Sequence, residues 1–155
     1  MNTDVQYRLM RKGEEEKICS LVKKVFHEFV APDYGEEGIN EFFKFANPRA
    51  LAERSGPEQV VVVAEQGSDL LGMIEILKCE HIALLFVSNR GKGIAKQLIS
   101  RGVEECSKRQ IELKRLSVNS SPFAKPIYAK LGFKKTGPVQ EKNGITFVPM
   151  ARILD

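Results

Sequence analysis

Val60 to Ala64 is an unbroken run of four valines and an alanine, and it limits what this chain can fold into. β-Branched side chains crowd a helical turn but fit a pleated sheet. Gly67, Ser68 and Asp69 supply turn residues, and Leu70 to Leu77 is a second largely apolar run. The two runs predict a β-hairpin. His81 to Val87 is a third run, short enough for a strand covered on both faces. A sheet therefore occupies the middle of the chain, and the flanking segments must cover it.

Those segments carry the needed patterns. Val5 to Leu9 reads as a short first strand. Ile18, Leu21, Val22, Val25 and Phe29 recur at helical spacing after three glutamates, which favour a helix start. Pro32, Gly35 and Gly38 mark a loop, and further helices are predicted from about Ile39 to Ala46 and from Pro48 to near Gly56. Beyond the strands, a helix from about Ala95 shows Leu98, Ile99, Gly102, Val103 and Cys106 on one side. Leu113 to Val118 predicts a strand, Pro122 to Leu131 a helix closed by Gly132, and Phe133 to Thr136 a short strand. Asn143-Gly144 is a hairpin signal before a last strand from Ile145 to Met150. This order predicts an α/β layered fold with a mixed sheet. No linker or repeat interrupts it, so residues 1–155 read as a single domain.

Composition narrows the class. A chain of 155 residues, 43% hydrophobic and 28% charged, suits one soluble globular domain. A net charge of +4 suits an anionic ligand. Nucleic acid ranks low as a partner, because there is no Lys/Arg block and the aromatics sit in apolar runs. Cys19, Cys79 and Cys106 are odd in number and lack a C-x-x-C pair. They argue against a disulfide framework or zinc site and for a reducing compartment. With two histidines only, no metal is expected. No apolar stretch approaches a membrane span and no leader pattern opens the chain, so a cytoplasmic location is expected and a membrane partner is not.

The densest chemical signal is Arg90-Gly91-Lys92-Gly93-Ile94-Ala95-Lys96, between a strand and a helix. A helix start offers main-chain N–H groups that nothing else uses, and its dipole favours an anion. Glycine at 91 and 93 lets a ligand approach the backbone. Arg90, Lys92 and Lys96 add positive charge. The pattern fits a pyrophosphate, while the endings of the Walker A and Rossmann loops are both absent.

In this context the sequence resembles the GNAT superfamily of acyltransferases. Arg90-x-x-Gly93-x-Ala95 fits the acyl-CoA pyrophosphate motif of that family, after Leu84-Leu85-Phe86-Val87 as its fourth strand. Asn119 to Phe133, including Pro122, Pro126, Tyr128, Lys130 and Gly132, fits its Asn…Tyr-x-Lys-x-Gly-Phe segment. The likeness covers essentially the whole chain. One difference is that only Ser88 and Asn89 separate Val87 from Arg90, a shorter loop than the family has.

The resemblance implies a GNAT fold, with a mostly antiparallel sheet splayed between strands 4 and 5. It implies an N-acetyltransferase that takes acetyl-CoA as co-substrate and a primary amine, attacking the thioester directly, as acceptor; a non-catalytic acyl-CoA-binding module is the alternative. Leu85, Phe86 and Val87 would pair with the pantetheine arm, and residues 90 to 96 would grip the pyrophosphate. An amide of Val87 or Phe86 would meet the oxyanion. Tyr128 would protonate the departing sulfur, and Asn119 would hydrogen-bond the cofactor arm or orient Tyr128, with Pro126 also contacting the cofactor. The candidate base is Glu75, a carboxylate inside an apolar strand, where charge is costly unless it serves something. Glu80 and His81 are weaker candidates. The acceptor would enter beside Phe29 to Phe45, a stretch that includes the acids Asp33, Glu36 and Glu37. Members of the family are often dimers, so a homodimer is expected.

Overall fold

The structure is a computed structural model that describes residues 4–88, 93–109 and 113–154. Strand β1 (Gln6–Leu9) leads into helix α1 (Glu15–Val25). The same helical path continues as a π-helical turn over Phe26–Val30 and a 3₁₀ turn over Ala31–Asp33. Helices α2 (Glu36–Phe45) and α3 (Pro48–Glu53) follow. Asn47 caps α3 by accepting from the Ala50 amide at 2.9 Å, with Pro48 at the first helical position, where its missing N–H costs nothing.

The three central runs become strands β2 (Gln59–Gln66), β3 (Asp69–Leu77) and β4 (His81–Val87). Helix α4 (Ile94–Lys108), strand β5 (Arg115–Ser120) and helix α5 (Lys125–Lys130) come next. Strands β6 (Lys134–Lys135), β7 (Gln140–Lys142) and β8 (Ile145–Ile153) complete the described chain. The sheet runs β1-β2-β3-β4-β5-β8-β6, with β7 paired to β8 off this path. Every neighbouring pair is antiparallel except β4–β5. The expected mixed, mostly antiparallel sheet between helical layers is thus present.

Strand alternation sorts the core into two layers. Val60, Val62, Ile74 and Ile76 face α4 and join Leu98, Leu116 and Tyr128. Val61, Val63, Met73 and Leu84 face α1 and α3 and join Ile18, Val22 and Leu51. Both faces of β2 to β4 are covered, so these strands read as continuous apolar runs.

The last helix starts at Lys125 rather than Pro122, because Ser121 closes a turn first: its carbonyl accepts from Ala124 and Lys125, each at 3.1 Å. Cys79 and Cys106 form a disulfide, with Cα atoms 5.7 Å apart. They are 27 positions apart in the chain, and only the packing of α4 on the sheet brings them together. The cysteine argument for a reducing compartment is thereby withdrawn. Among the described residues no helix is long and apolar enough to cross a membrane.

The first turn of α1 is tied to the sheet edge by Arg8. Its guanidinium reaches Glu14 at 2.8 and 2.9 Å and Glu65 at 2.9 and 3.3 Å. The hydrogen bonds from Arg8 hold the Glu14 carboxyl at about 2, and Glu65 is lowered by the same partner. Because these values are depressed in the folded state, their stabilisation is complete above the ordinary carboxylate range and is lost as pH falls toward about 2. Unfolding free energy measured from pH 5 down to pH 2 should fall, and Arg8→Met should flatten that slope.

A close contact joins α2 to the β7–β8 hairpin. A Cβ built on Gly38 would sit 2.8 Å from the Gly144 carbonyl carbon, and one on Gly144 would sit 2.6 Å from the Gly38 amide nitrogen. Backbone blocks backbone here, so neither side can yield by a rotamer change. Alanine normally favours a helix over glycine. Gly38→Ala should nevertheless destabilise by about 1–3 kcal/mol, as overpacking does, measured by urea unfolding.

Candidate active site

The sheet opens between β4 and β5. Their parallel pairing consists of His81↔Ser117 and Ile82↔Val118. The register of β4 on β3 slips at the next step, since Glu75 pairs with Leu84 but Ile76 pairs with Ile82. Ala83 is therefore the extra residue of a β-bulge. A bulge bends its strand and increases the local twist. Beyond it, Leu84 to Val87 stay on β3 and leave β5 without further pairing.

The main-chain direction of β4 decides what faces the opening. The Ser88 amide donates to the Leu71 carbonyl at 2.8 Å, so Ser88 points toward β3. Alternation along an antiparallel ladder then aims Phe86 at β3, and Leu85 and Val87 at the gap. Of the two amides expected as donor, that of Val87 faces the gap and that of Phe86 faces β3, with the Leu85 amide beside that of Val87. The Phe86 side chain lies on the α1 side of the sheet, 5.8 Å from the Phe42 ring.

A cavity of about 510 Å³ runs through this opening. Gly93, Ile94, Ala95 and Lys96 line one end, at the start of α4. Gly93 caps that helix in a left-handed conformation, φ 71°. Arg90, Gly91 and Lys92 lie outside the described residues. Leu85, Phe86, Val87, Asn119 and Tyr128 also line the cavity. Asn119 is exposed on β5 opposite Pro149 and makes no side-chain hydrogen bond to Tyr128. Pro126 is exposed at the second position of α5 and is not among the residues that line the cavity.

Tyr128 is held by the way its helix ends. Gly132 takes φ 92°, the left-handed conformation that glycine adopts without a Cβ penalty. The Phe133 amide then returns to the Tyr128 carbonyl at 3.0 Å, and the Gly132 amide to the Ala129 carbonyl at 3.1 Å. These are the paired bonds of a Schellman motif, and the usual apolar contact accompanies them. Here that contact is the Phe133 ring against Tyr128, edge to face at 5.3 Å. Tyr128 is 6% exposed, and its hydroxyl makes no hydrogen bond to a described residue. Burial pushes its phenol pKa well above the ordinary value, so it stays protonated.

Glu75 does not reach the cavity. Its carboxylate is fully buried and accepts from Arg54 Nε and Nη2, both at 2.9 Å, and from Gln59 Nε2 at 2.8 Å. Arg54 also donates to the Phe45 carbonyl at 2.8 Å and lies 3.6 Å over the Phe45 ring. The carboxylate does serve something, but it is a clamp between α3 and β3. The assignment of Glu75 as base is therefore corrected. His81 sits at the paired end of β4 with Nδ1 2.8 Å from Ser117 Oγ, and burial lowers its pKa. Burial raises the Cys19 thiol to about 11, which keeps it un-ionised.

The π turn after α1 was not legible in the sequence. It carries Phe29 and Val30 onto the cavity wall with Tyr34 and Phe42. Phe29 stacks on Phe123 at 5.3 Å, so the β5–α5 connection supplies the facing wall. Asp33, Glu36 and Glu37 are exposed and do not line the cavity.

Comparison with known proteins agrees with this geometry. The profile of the acetyltransferase (GNAT) domain family matches residues 30–154. No curated protein matches the chain. Among solved structures, a GCN5-related N-acetyltransferase from Rhodopseudomonas palustris is similar at 20% identity and TM-score 0.79, over 99% of this chain and 98% of that one. The PaiA N-acetyltransferase from Thermoplasma acidophilum, solved with coenzyme A, is 19% identical with TM-score 0.77, over 97% and 99%. The aminoglycoside 6'-N-acetyltransferase from Enterococcus faecium is 15% identical with TM-score 0.68, over 96% of each chain. The profile match over residues 30–154, on a fold whose bulged β4 parts from β5, makes this chain a member of the GNAT acetyltransferase family.

Proposed function

We propose that residues 1–155 form one acetyltransferase domain that moves an acetyl group from acetyl-CoA to an amine. The observation that carries this is the gap beside Leu85 and Val87, which ends at a tyrosine whose hydroxyl has no described partner. Coenzyme A in the Thermoplasma relative supports the same use of the fold here. The pyrophosphate would meet the start of α4, where Gly93 to Lys96 line the cavity. The pantetheine arm would pair with the gap-facing main chain of β4.

The acceptor nitrogen attacks the thioester carbonyl. The Val87 amide donates to the developing oxyanion, a preorganised electrostatic contribution. As the C–S bond breaks, Tyr128 gives its proton to the sulfur. Asn119, which lines the cavity, would hold the cofactor arm.

Thermal unfolding with and without acetyl-CoA tests the reading. Acetyl-CoA at 100 times its Kd should add about 2.7 kcal/mol of stability. Thiol release in the presence of an amine then separates an enzyme from a binding module. Absence of any stabilisation by acetyl-CoA or CoA would contradict both.

A further inference from the structure

The acceptor side of the cavity has an unusual wall for a site that would take an ammonium group. Phe29, Val30, Tyr34, Phe42, Phe86 and Phe123 form it, and no carboxylate or histidine lines the cavity among the described residues. The titratable groups that do line it are Tyr34, Tyr128, Lys96 and Lys130. Glu75, the buried carboxylate nearest in kind to a base, is spent on Arg54 and Gln59.

Proton accounting follows from that wall. A neutral amine forms its C–N bond as the C–S bond breaks, and no net proton is produced. Tyr128 hands one proton to the sulfur, and the acylated nitrogen returns its surplus proton to the phenolate directly or through water. An ammonium brings an extra proton, and no described lining group can accept it. Moving such a cation onto an apolar wall without a counter-charge is also costly.

Resting on the acetyltransferase reading above, we propose that the acceptor is an apolar aromatic amine of low basicity, bound uncharged against the phenyl rings of this wall. Edge-to-face and offset ring contacts supply the binding preference. The geometry is already in place: Phe42 stacks on Phe26 at 4.1 Å and meets Phe86 at 5.8 Å, while Phe29 and Phe123 stack at 5.3 Å.

The test compares 4-ethylaniline, benzylamine and 1,4-diaminobutane as acceptors near neutral pH, following thiol release at saturating acetyl-CoA. The expected order of kcat/KM is 4-ethylaniline, then benzylamine, then the diamine, with the first and last about a hundredfold apart or more. Phe42→Leu should raise the 4-ethylaniline KM about two- to tenfold, with the acetyl-CoA KM unchanged. Stabilisation by acetyl-CoA together with a preference for the diamine, or with no turnover of the aniline, overturns this inference and leaves the cofactor reading standing. No stabilisation by acetyl-CoA overturns both. An unchanged aniline KM in Phe42→Leu overturns the placement of the ring on that wall.

Discussion

Replacing Tyr128 with phenylalanine is expected to lower kcat about a hundredfold while leaving acetyl-CoA affinity within about twofold. The size follows from the leaving group. A thiol with an ordinary pKa near 8.5 departs tolerably without help, so loss of the acid slows the reaction without abolishing it. The fold should not change, because the ring keeps its contact with Phe133 and the Schellman bonds use main-chain atoms only. The pH profile adds a second check. Burial holds the phenol protonated above its ordinary value, so wild-type turnover should show no alkaline loss from this group below that value. Single-turnover thiol release on the two proteins measures the first effect. Equal rates would remove Tyr128 from the mechanism.

Arg54→Ala should cost about 3–5 kcal/mol of stability, because it leaves a fully buried carboxylate without its cation. Gln59 alone cannot offset the charge, and the Phe45 ring and carbonyl lose their partner as well. Adding Glu75→Met should recover most of the loss, since a buried pair replaced by apolar groups is often tolerated. Urea unfolding of the single and double variants measures both. Below its unfolding transition, the double variant should retain kcat, which distinguishes a clamp from a base. A double variant that is folded and inactive would restore Glu75 to catalysis.

Glu75 also shows how far the sequence reaches. The apolar strand around it correctly marked a carboxylate under constraint, but no local pattern connects it to Arg54, 21 positions earlier. The limits of β4 were legible to the residue, because an apolar run between polar ends has one reading. The bulge at Ala83 was not, since one extra residue leaves such a run unchanged. It nevertheless sets where β4 leaves β5. Tyr128 was singled out through its motif, while the Gly132 turn that fixes its position was legible as a helix stop. Strand β7 was missed because Gln140, Glu141 and Lys142 are all exposed and carry no apolar signal; Asn143-Gly144 alone pointed to their pairing. The Cys79–Cys106 pair and the aromatic wall depend on elements distant in the chain. Periodicity sees one element at a time and cannot bring such residues together.

Amide hydrogen exchange at Leu85 and Val87, with and without CoA, tests the account most directly. Their main chain faces the opening beyond the Ile82↔Val118 pair, so both amides should exchange quickly in the free protein. CoA should protect them and leave the β3-facing amide of Phe86 little changed. Equal protection of Leu85 and Val87 with and without CoA would mean that the cofactor does not enter between these strands.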